Sequence, residues 1–318
     1  MLEINIISFF CNKRRLFNLE KWFIIKLMKA RNVNMQKKIG MVIVNYNDFE
    51  MTSRLLNNVK EYKCLSHIVV VDNNSQDDSF VKLKEFESNR ITIIKNSRRQ
   101  YSSGLNVGAK YLIKKVGECN IIFSNSDIII KGEEDLKKLS SNINRDVVVV
   151  GPVVDEHGIL NRGWRMPTVN QEILFNIPLL SRYFKKKFLN YNEEVYKDET
   201  TIVEVVSGCF FIVDSKFLSD NNYFDETTFL YYEEQIFAKK VKDKGKKELV
   251  NNEVVIIHDH SVSVDKSLNR LKKQSTLKES QRYFAKTYLK ANIIQMALLY
   301  FTDYFYRLVL FIMCLVGR

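Results

Sequence analysis

The chain has 318 residues, of which 46% are hydrophobic and 27% charged, enough apolar content for a sizeable core and too much for a largely disordered chain. Only 3 Pro and 11 Gly exclude collagen-like and Pro-rich linker architectures. The 49 Lys and Arg against 37 Asp and Glu leave a net charge of +12, which favours anionic partners such as nucleotide phosphates, nucleic acid or an acidic membrane surface. Cys11, Cys64, Cys119, Cys209 and Cys314 are scattered and show no CxxC spacing, which argues against a disulfide framework or a zinc site and for a reducing cytoplasm.

Residues 1–38 form an N-terminal extension unlike the rest. Its apolar runs Ile4–Cys11 and Trp22–Met28 are interspersed with Lys and Arg, and neither is long enough to span a bilayer. The segment reads as an interfacial basic helix or as the product of an upstream start codon, with Met28 or Met35 as the alternative start. From Ile39 the pattern is strand, loop and helix in repetition. Gly40–Val44 is a buried strand, Glu50–Lys60 a helix, His67–Val71 a second strand, Ser79–Phe86 a helix and Ile91–Lys95 a third strand. Ser103–Lys115 is a helix, Asn120–Ser124 a fourth strand and Glu134–Ile143 a helix. This alternation predicts an α/β domain over residues 39–264 with a Rossmann-like, mostly parallel sheet flanked by helices.

The second half is less regular. It is read as strands over Val147–Val150, Val203–Val213 and Val254–His258, with a helix over Tyr231–Val241 between the last two. Residues 265–318 form an amphipathic helical tail, with Lys266–Leu289 polar and Ile293–Val316 apolar but interrupted by Gln295, Asp303 and Arg307. A charge at mid-bilayer is costly, so Asp303 and Arg307 predict a tail that lies on a membrane rather than through it. Lys272, Lys273, Lys278, Arg282, Lys286 and Lys290 are then expected to meet anionic headgroups.

Ligands on parallel α/β sheets bind beyond the carboxyl ends of the strands. Three strands end in polar or acidic clusters there: Asn45-Tyr46-Asn47-Asp48, Asp72-Asn73-Asn74-Ser75 and Asn125-Ser126-Asp127. One such cluster is commonly an Asx turn. Three at one sheet edge point to a site.

These residues resemble the family-2 glycosyltransferases of GT-A fold, within them the rhamnosyltransferase-like branch. Val42–Asn47 (VIVNYN) and Val69–Asp78 (VVVDNNSQDD) match the opening strand and the hhVDNxSxD signature, and Asn106-Val107-Gly108 the NxG of the first long helix. Phe123–Asp127 (FSNSD) is similar to the metal-binding element, and Val206–Ile212 (VSGCFFI) to the acceptor-side strand. Phe224–Glu226 with Leu230–Glu234 (LYYEE) resembles the FDExFFxYxED block, and His258 the closing histidine. The likeness runs from about Ile39 to Ser263. It departs at Gln100 and Ser102, where Gly and Ala are usual, at Asn125 for the first acid of Asp-x-Asp, at Glu233-Glu234 for Glu-Asp, and at Ile236 for a later Asp.

The resemblance implies an inverting, metal-dependent transfer of rhamnose or another hexose from a dTDP- or UDP-sugar to a glycan or polyprenyl-linked acceptor. Such an enzyme extends a surface polysaccharide at the inner face of the cell membrane. Donor binding falls to Val44, Tyr46, Asp72, Asn74, Arg98, Asn106, Ser126 and Asp127, with Tyr46 stacking on the base and Asp72 accepting its imide N–H. Asp127 and His258 would hold Mn2+ or Mg2+, with His260 as a further candidate. Trp164, Arg165, Ser207 and Gly208 are acceptor-side. Glu234 is the general base, and Glu233 its support, near the positive end of a helix. The rival readings are another nucleotide-dependent transferase or a dehydrogenase, and a non-catalytic nucleotide-sugar-binding protein on the same fold. The chain lacks GxGxxG and GxxxxGK[ST] after any strand, and it has no nucleic-acid reader motif.

Overall fold

Strands β1 (Ile39–Asn45), β2 (Leu65–Asp72), β3 (Ile91–Lys95) and β4 (Asn120–Ser124) pair in parallel in the spatial order β3-β2-β1-β4. The computed structural model describes residues 37–178, 180–259 and 270–315; the readings of residues 1–34 and of His260 lie outside them, as does the expected boundary at 264/265. Alternate residues of each strand feed two different cores. Met41, Ile43 and Val70 pack with Leu55 and Leu56 of helix α1 (Phe49–Val59), which follows β1. Val42, Val44 and Val71 pack with Leu105, Ala109 and Leu112 of α3 (Tyr101–Val116), which follows β3. Burial on both faces explains why these strands read as continuous apolar runs instead of alternating ones. Between β2 and β3, α2 (Ser79–Leu83) passes into a 3-10 turn at Lys84–Phe86. Helix α3 lies so close to the sheet that a Cβ on Gly108 would stand 2.3 Å from Val42 Cγ1, so any side chain here would force Val42 or the helix to shift.

The second half extends the same sheet. β9 (Phe210–Asp214) runs antiparallel between β4 and β6 (Val147–Glu156), and β10 (Lys247–His258) runs parallel to β6. Short antiparallel pieces complete it: β5 (Ile128–Ile129) and β8 (Thr200–Val203) on β10, and β7 (Ile159–Asn161) on β6. The run Val203–Val213, expected as one strand, is two strands on different neighbours. Residues 204–209 between them leave the sheet, and Val205 makes an isolated bridge to Trp164. Val205 and Val206 are buried without belonging to a named strand, and so their apolar character mimics strand continuity.

Helix α4 (Glu133–Ser141) covers the sheet between β5 and β6, and α7 (Ser215–Asp220) follows β9. Helices α5 (Val169–Phe175) and α6 (Ser181–Leu189) precede β8, and α8 (Glu233–Asp243) precedes β10. The tail forms α9 (Arg270–Thr287) and α10 (Ile293–Leu315). Ala285 and Leu299 are fully buried against Val169 of α5. Asp303 is 5% exposed because it faces inward, with Arg282 at 2.6 Å and Arg307 at 3.1 Å. Of the basic residues expected at lipid headgroups, Lys272 and Lys273 border the cavity described below, and two more point inward. Arg282 is committed to Asp303, and Lys278 is 5% exposed and donates to Asn176 and Gln281. Among the described residues no helix is long and apolar enough to cross a membrane.

Candidate active site

The parallel register sets Asn45 opposite Asp72, and Ile43 opposite Ser124, at one edge of the sheet. Buried strand ends leave polar groups that need partners, and here they satisfy one another. Asn45 Nδ2 donates to Asp72 Oδ1 (2.9 Å), and Ser75 donates through Oγ to Asp72 Oδ1 (2.5 Å) and through its backbone N–H to Asp72 Oδ2 (3.1 Å). Asn73 Nδ2 holds the carbonyls of Arg99 (3.2 Å) and Gln100 (3.0 Å) ahead of α3. Asp72 is thus fully buried and builds the wall from behind.

Beyond this edge opens a cavity of about 760 Å3. Of the expected donor residues, Val44, Tyr46, Ser126 and Asp127 line it. Asp72, Asn74, Arg98 and Asn106 do not. Asn106 Nδ2 donates to the Phe224 carbonyl (2.9 Å) while its Oδ1 accepts from the Phe224 N–H (3.0 Å), clamping α3 to the segment before α8. Arg98 pairs with Glu226 at 2.6 Å, and Asn74 occupies a left-handed turn with φ 64°. The neighbouring Arg99 takes the cavity position instead, its guanidinium 5.6 Å from the centre of the Tyr46 ring. Of the acceptor-side set, Trp164, Ser207 and Gly208 line the cavity, whereas Arg165 lies over the Tyr191 ring at 4.9 Å.

The pairing of β5 with the end of β10 sets Ile128 opposite His258, and the Asp259 N–H donates to the Asp127 carbonyl at 2.9 Å. This backbone contact brings the two expected metal ligands together. His258 Nε2 is 3.3 Å from Asp127 Oδ1, and His258 Nδ1 is 3.4 Å from Glu156 Oε1. Burial acts to lower the imidazole's pKa, but hydrogen bonds to Asp127, Cys209 and Glu156 outweigh it and push it up to about 12. Neighbouring ligands of an octahedral ion with bonds of about 2.1 Å stand ~3 Å apart. The Asp127–His258 spacing and its oxygen and nitrogen donors fit a small divalent cation. Among the described residues no group of three or more His, Cys, Asp or Glu is arranged as a ligand set. Asn125, at the site of the missing acid, accepts from the buried Tyr101 hydroxyl at 2.7 Å.

Helix α8 starts at Glu233, two residues later than the sequence predicts, because Tyr231 and Tyr232 are left-handed with φ 72° and 69°. Both Glu233 and Glu234 line the cavity. Burial and the adjacent Glu234 push Glu233 up to about 8, and burial raises Glu234 as well. One Glu233 oxygen, Oε1, is buried without a hydrogen-bond partner. Glu234 lies against Gly208, where a Cβ would sit 3.3 Å from its Oε1. Glu248, at the start of β10, also lines the cavity and accepts from the Val206 N–H at 2.8 Å. Burial pushes Glu248 up to about 8. Glu156 and Glu248 reach the cavity through the register of β6 and β10, and Tyr101 through the start of α3, none of which the local sequence pattern shows.

The sequence model of Glycosyl transferase family 2 matches residues 41–220, more than half of the chain. No curated protein matches the sequence. GalNAc-T7, solved with UDP, GalNAc and Mn2+, superposes with a TM-score of 0.60 at 16% identity over 81% of this chain, which spans only 50% of that protein. The mannosyltransferase PcManGT from Pyrobaculum calidifontis, solved with GDP-Man and Mn2+, gives 0.53 at 12% identity, covering 90% of this chain and 77% of that one. At such identities the likeness establishes the GT-A fold.

Burial keeps Glu248 protonated in the folded chain up to about pH 8, whereas its ordinary value is 4.5, so the stability this group contributes is lost as pH rises between those values. Glu248→Gln keeps an oxygen for the Val206 N–H and removes the ionisation. Thermal unfolding should show Tm raised by ~2–4 °C or more at pH 8 and little change at pH 5. Equal shifts at both values would contradict a neutral buried acid.

Proposed function

Because the chain belongs to glycosyl transferase family 2 and is a glycosyltransferase of GT-A fold, we propose that it transfers rhamnose or another hexose, with inversion, from a dTDP- or UDP-sugar to a glycan or polyprenyl-linked acceptor. The observation that carries this reading is that Asp127 and His258 line the same cavity as Glu233 and Glu234, beyond the carboxyl ends of β1, β2 and β4. Tyr46 offers the donor base a ring face, with Arg99 beside it. Ser126, which donates to Asp48 at 3.1 Å, and Val44 complete that wall. Asp127 and His258 would hold Mn2+ or Mg2+, which when bound neutralises charge on the departing diphosphate. Trp164, Ser207 and Gly208 border the acceptor's space.

The acceptor hydroxyl attacks the anomeric carbon as the bond to the diphosphate breaks, and its proton passes to Glu234. A carboxylate raised by burial is a better proton acceptor near neutral pH than one in water. Gly208 leaves room for that carboxylate beside the backbone of residues 204–209. Glu233 supports it, and the charge on each disfavours ionisation of the other.

We place the enzyme at the inner face of the cell membrane, resting on the outer side of α10. Ile293, Leu298, Phe301, Tyr304, Phe305 and Leu308 are each more than 40% exposed there, and the acidic residue of the helix, Asp303, is turned inward. Lys286 and Lys290 are exposed just upstream. A face without acids, carrying aromatic rings and flanked by lysines, suits anionic lipid.

Four outcomes test this reading. Asp127→Asn should abolish Mn2+-dependent binding of the nucleotide sugar in a chain that still unfolds cooperatively, at a lower Tm because His258 loses its carboxylate partner; unaltered metal dependence in calorimetry would remove Asp127 from the metal. Glu234→Gln should lower turnover by ~10²-fold or more with donor affinity unchanged, and Glu233→Gln should cost less. The acid limb of the wild-type rate profile should lie above the ordinary carboxylate value of 4.5. Wild-type turnover in Glu234→Gln would dismiss it as base. In flotation with phosphatidylglycerol vesicles, Phe301→Asp/Tyr304→Asp should bind at least ~10-fold more weakly than wild type. Equal recovery of the two proteins with the vesicles would rule out this face.

A further inference from the structure

The two left-handed tyrosines ahead of α8 need a restraint. A left-handed residue other than glycine is strained and persists only where its surroundings enforce it. Here two occur in succession, at Tyr231 and Tyr232, and they set the direction in which Glu233 and Glu234 enter the cavity. The restraint comes from two helices distant in sequence. Tyr232 OH donates to Glu172 Oε2 at 2.7 Å, and Gln281 Nε2 donates to the same oxygen at 2.7 Å. Glu172 sits on α5 and is 1% exposed. The Tyr232 ring lies 5.5 Å from that of Phe284 on α9, and Ser280 Oγ donates to the Leu230 carbonyl at 2.8 Å. One turn further along α9, Tyr283 OH donates to Asp225 Oδ2 at 2.7 Å.

We infer that Glu172, acting through the Tyr232 hydroxyl, is a positioning residue that fixes the left-handed turn from which the catalytic carboxylates enter the cavity. The inference rests on the reading of Glu234 as base. Neither Glu172 nor Gln281 lines the cavity, so their effect on the reaction is exerted through Tyr232. The buried oxygen of Glu172 has two neutral donors and no cation within salt-bridge distance among the described residues, so it is held by geometry and not by charge pairing. Loss of the Tyr232 hydroxyl frees the turn to relax out of its left-handed state. The carboxylates then stand off the attacking hydroxyl, and a displacement of about 1 Å at a reacting group can cost ~10²-fold in rate. Donor binding, at Tyr46 and Asp127, is untouched. The family match ends at residue 220, so both this turn and α9 lie outside the matched region.

The test is steady-state kinetics on the full chain, with nucleotide-sugar donor and the acceptor that supports turnover, beside thermal unfolding. Tyr232→Phe should lower kcat by ~10-fold or more with both KM values within ~3-fold of wild type. Glu172→Gln, which keeps an oxygen for the hydroxyl, should retain most of kcat. Should Tyr232→Phe unfold, Glu172→Leu/Tyr232→Phe removes the hydroxyl and its acceptor together, while Gln281 keeps the Glu172 backbone carbonyl at 3.3 Å; its kcat should still be low in the folded chain. Wild-type kcat in any folded variant lacking the hydroxyl, or a loss confined to KM, would overturn the inference. Glu234→Gln runs in parallel. Its retention of turnover would overturn the base reading and this inference with it, whereas its collapse beside wild-type kcat in Tyr232→Phe would overturn this inference alone.

Discussion

Asn45 and Asp72 meet at the ends of β1 and β2 through a 2.9 Å hydrogen bond, and most of what surrounds the cavity hangs on this join. Both residues are fully buried, so a missing partner would leave a polar group stranded at a cost of ~1–3 kcal/mol. Ser75 ties the following loop to the same carboxylate, and Asn73 ties the start of α3. The parallel register then fixes where the next chain segments leave the sheet. A shift by one residue would exchange the two cores and scatter the polar ends.

Against this well-satisfied wall stands a poorly satisfied one. Glu233, Glu234 and Glu248 border the cavity, and burial raises all three. Buried carboxyl groups short of partners reduce stability. Left-handed Tyr231 and Tyr232 add backbone strain at the same place. Unfavourable groups concentrated at one cleft are typical of sites whose chemistry requires them. Compensation comes from the surrounding helices, whose hydrogen bonds to Leu230, Tyr232 and Asp225 hold the strained segment in place.

The first half of the fold was legible because each strand is short, apolar and bounded by polar turns, and each helix between them shows its own period. Strand ends gave away Tyr46, Ser126 and Asp127 for the same reason. Val203–Val213 misled because burial alone makes an apolar run, whether or not its backbone joins a ladder. Glu156 and Glu248 depend on how β6 and β10 align across some hundred residues, which local pattern does not encode. On α9, Ser280 and Gln281 face inward along with Phe284, so polarity there does not mark the solvent side. Arg98 and Arg99 illustrate the finest limit: adjacent identical side chains, of which one pairs with Glu226 and the other reaches the cavity.

Helix α9 has two grips. Ser280, Gln281 and Tyr283 hold the turn before Glu233, while Arg282 holds Asp303 of α10. The outer face of α10 from Ile293 to Leu308 extends about 24 Å at 1.5 Å per residue. If that face rests on a bilayer, the cleft is carried at one fixed elevation and one fixed aim above the lipid plane. Acceptors anchored in the same plane would then be sorted by reach: a sugar on too short a stalk never arrives, and one on a long stalk arrives at any tilt. On that proposed arrangement, reach above the lipid plane would select among acceptors before any contact is made.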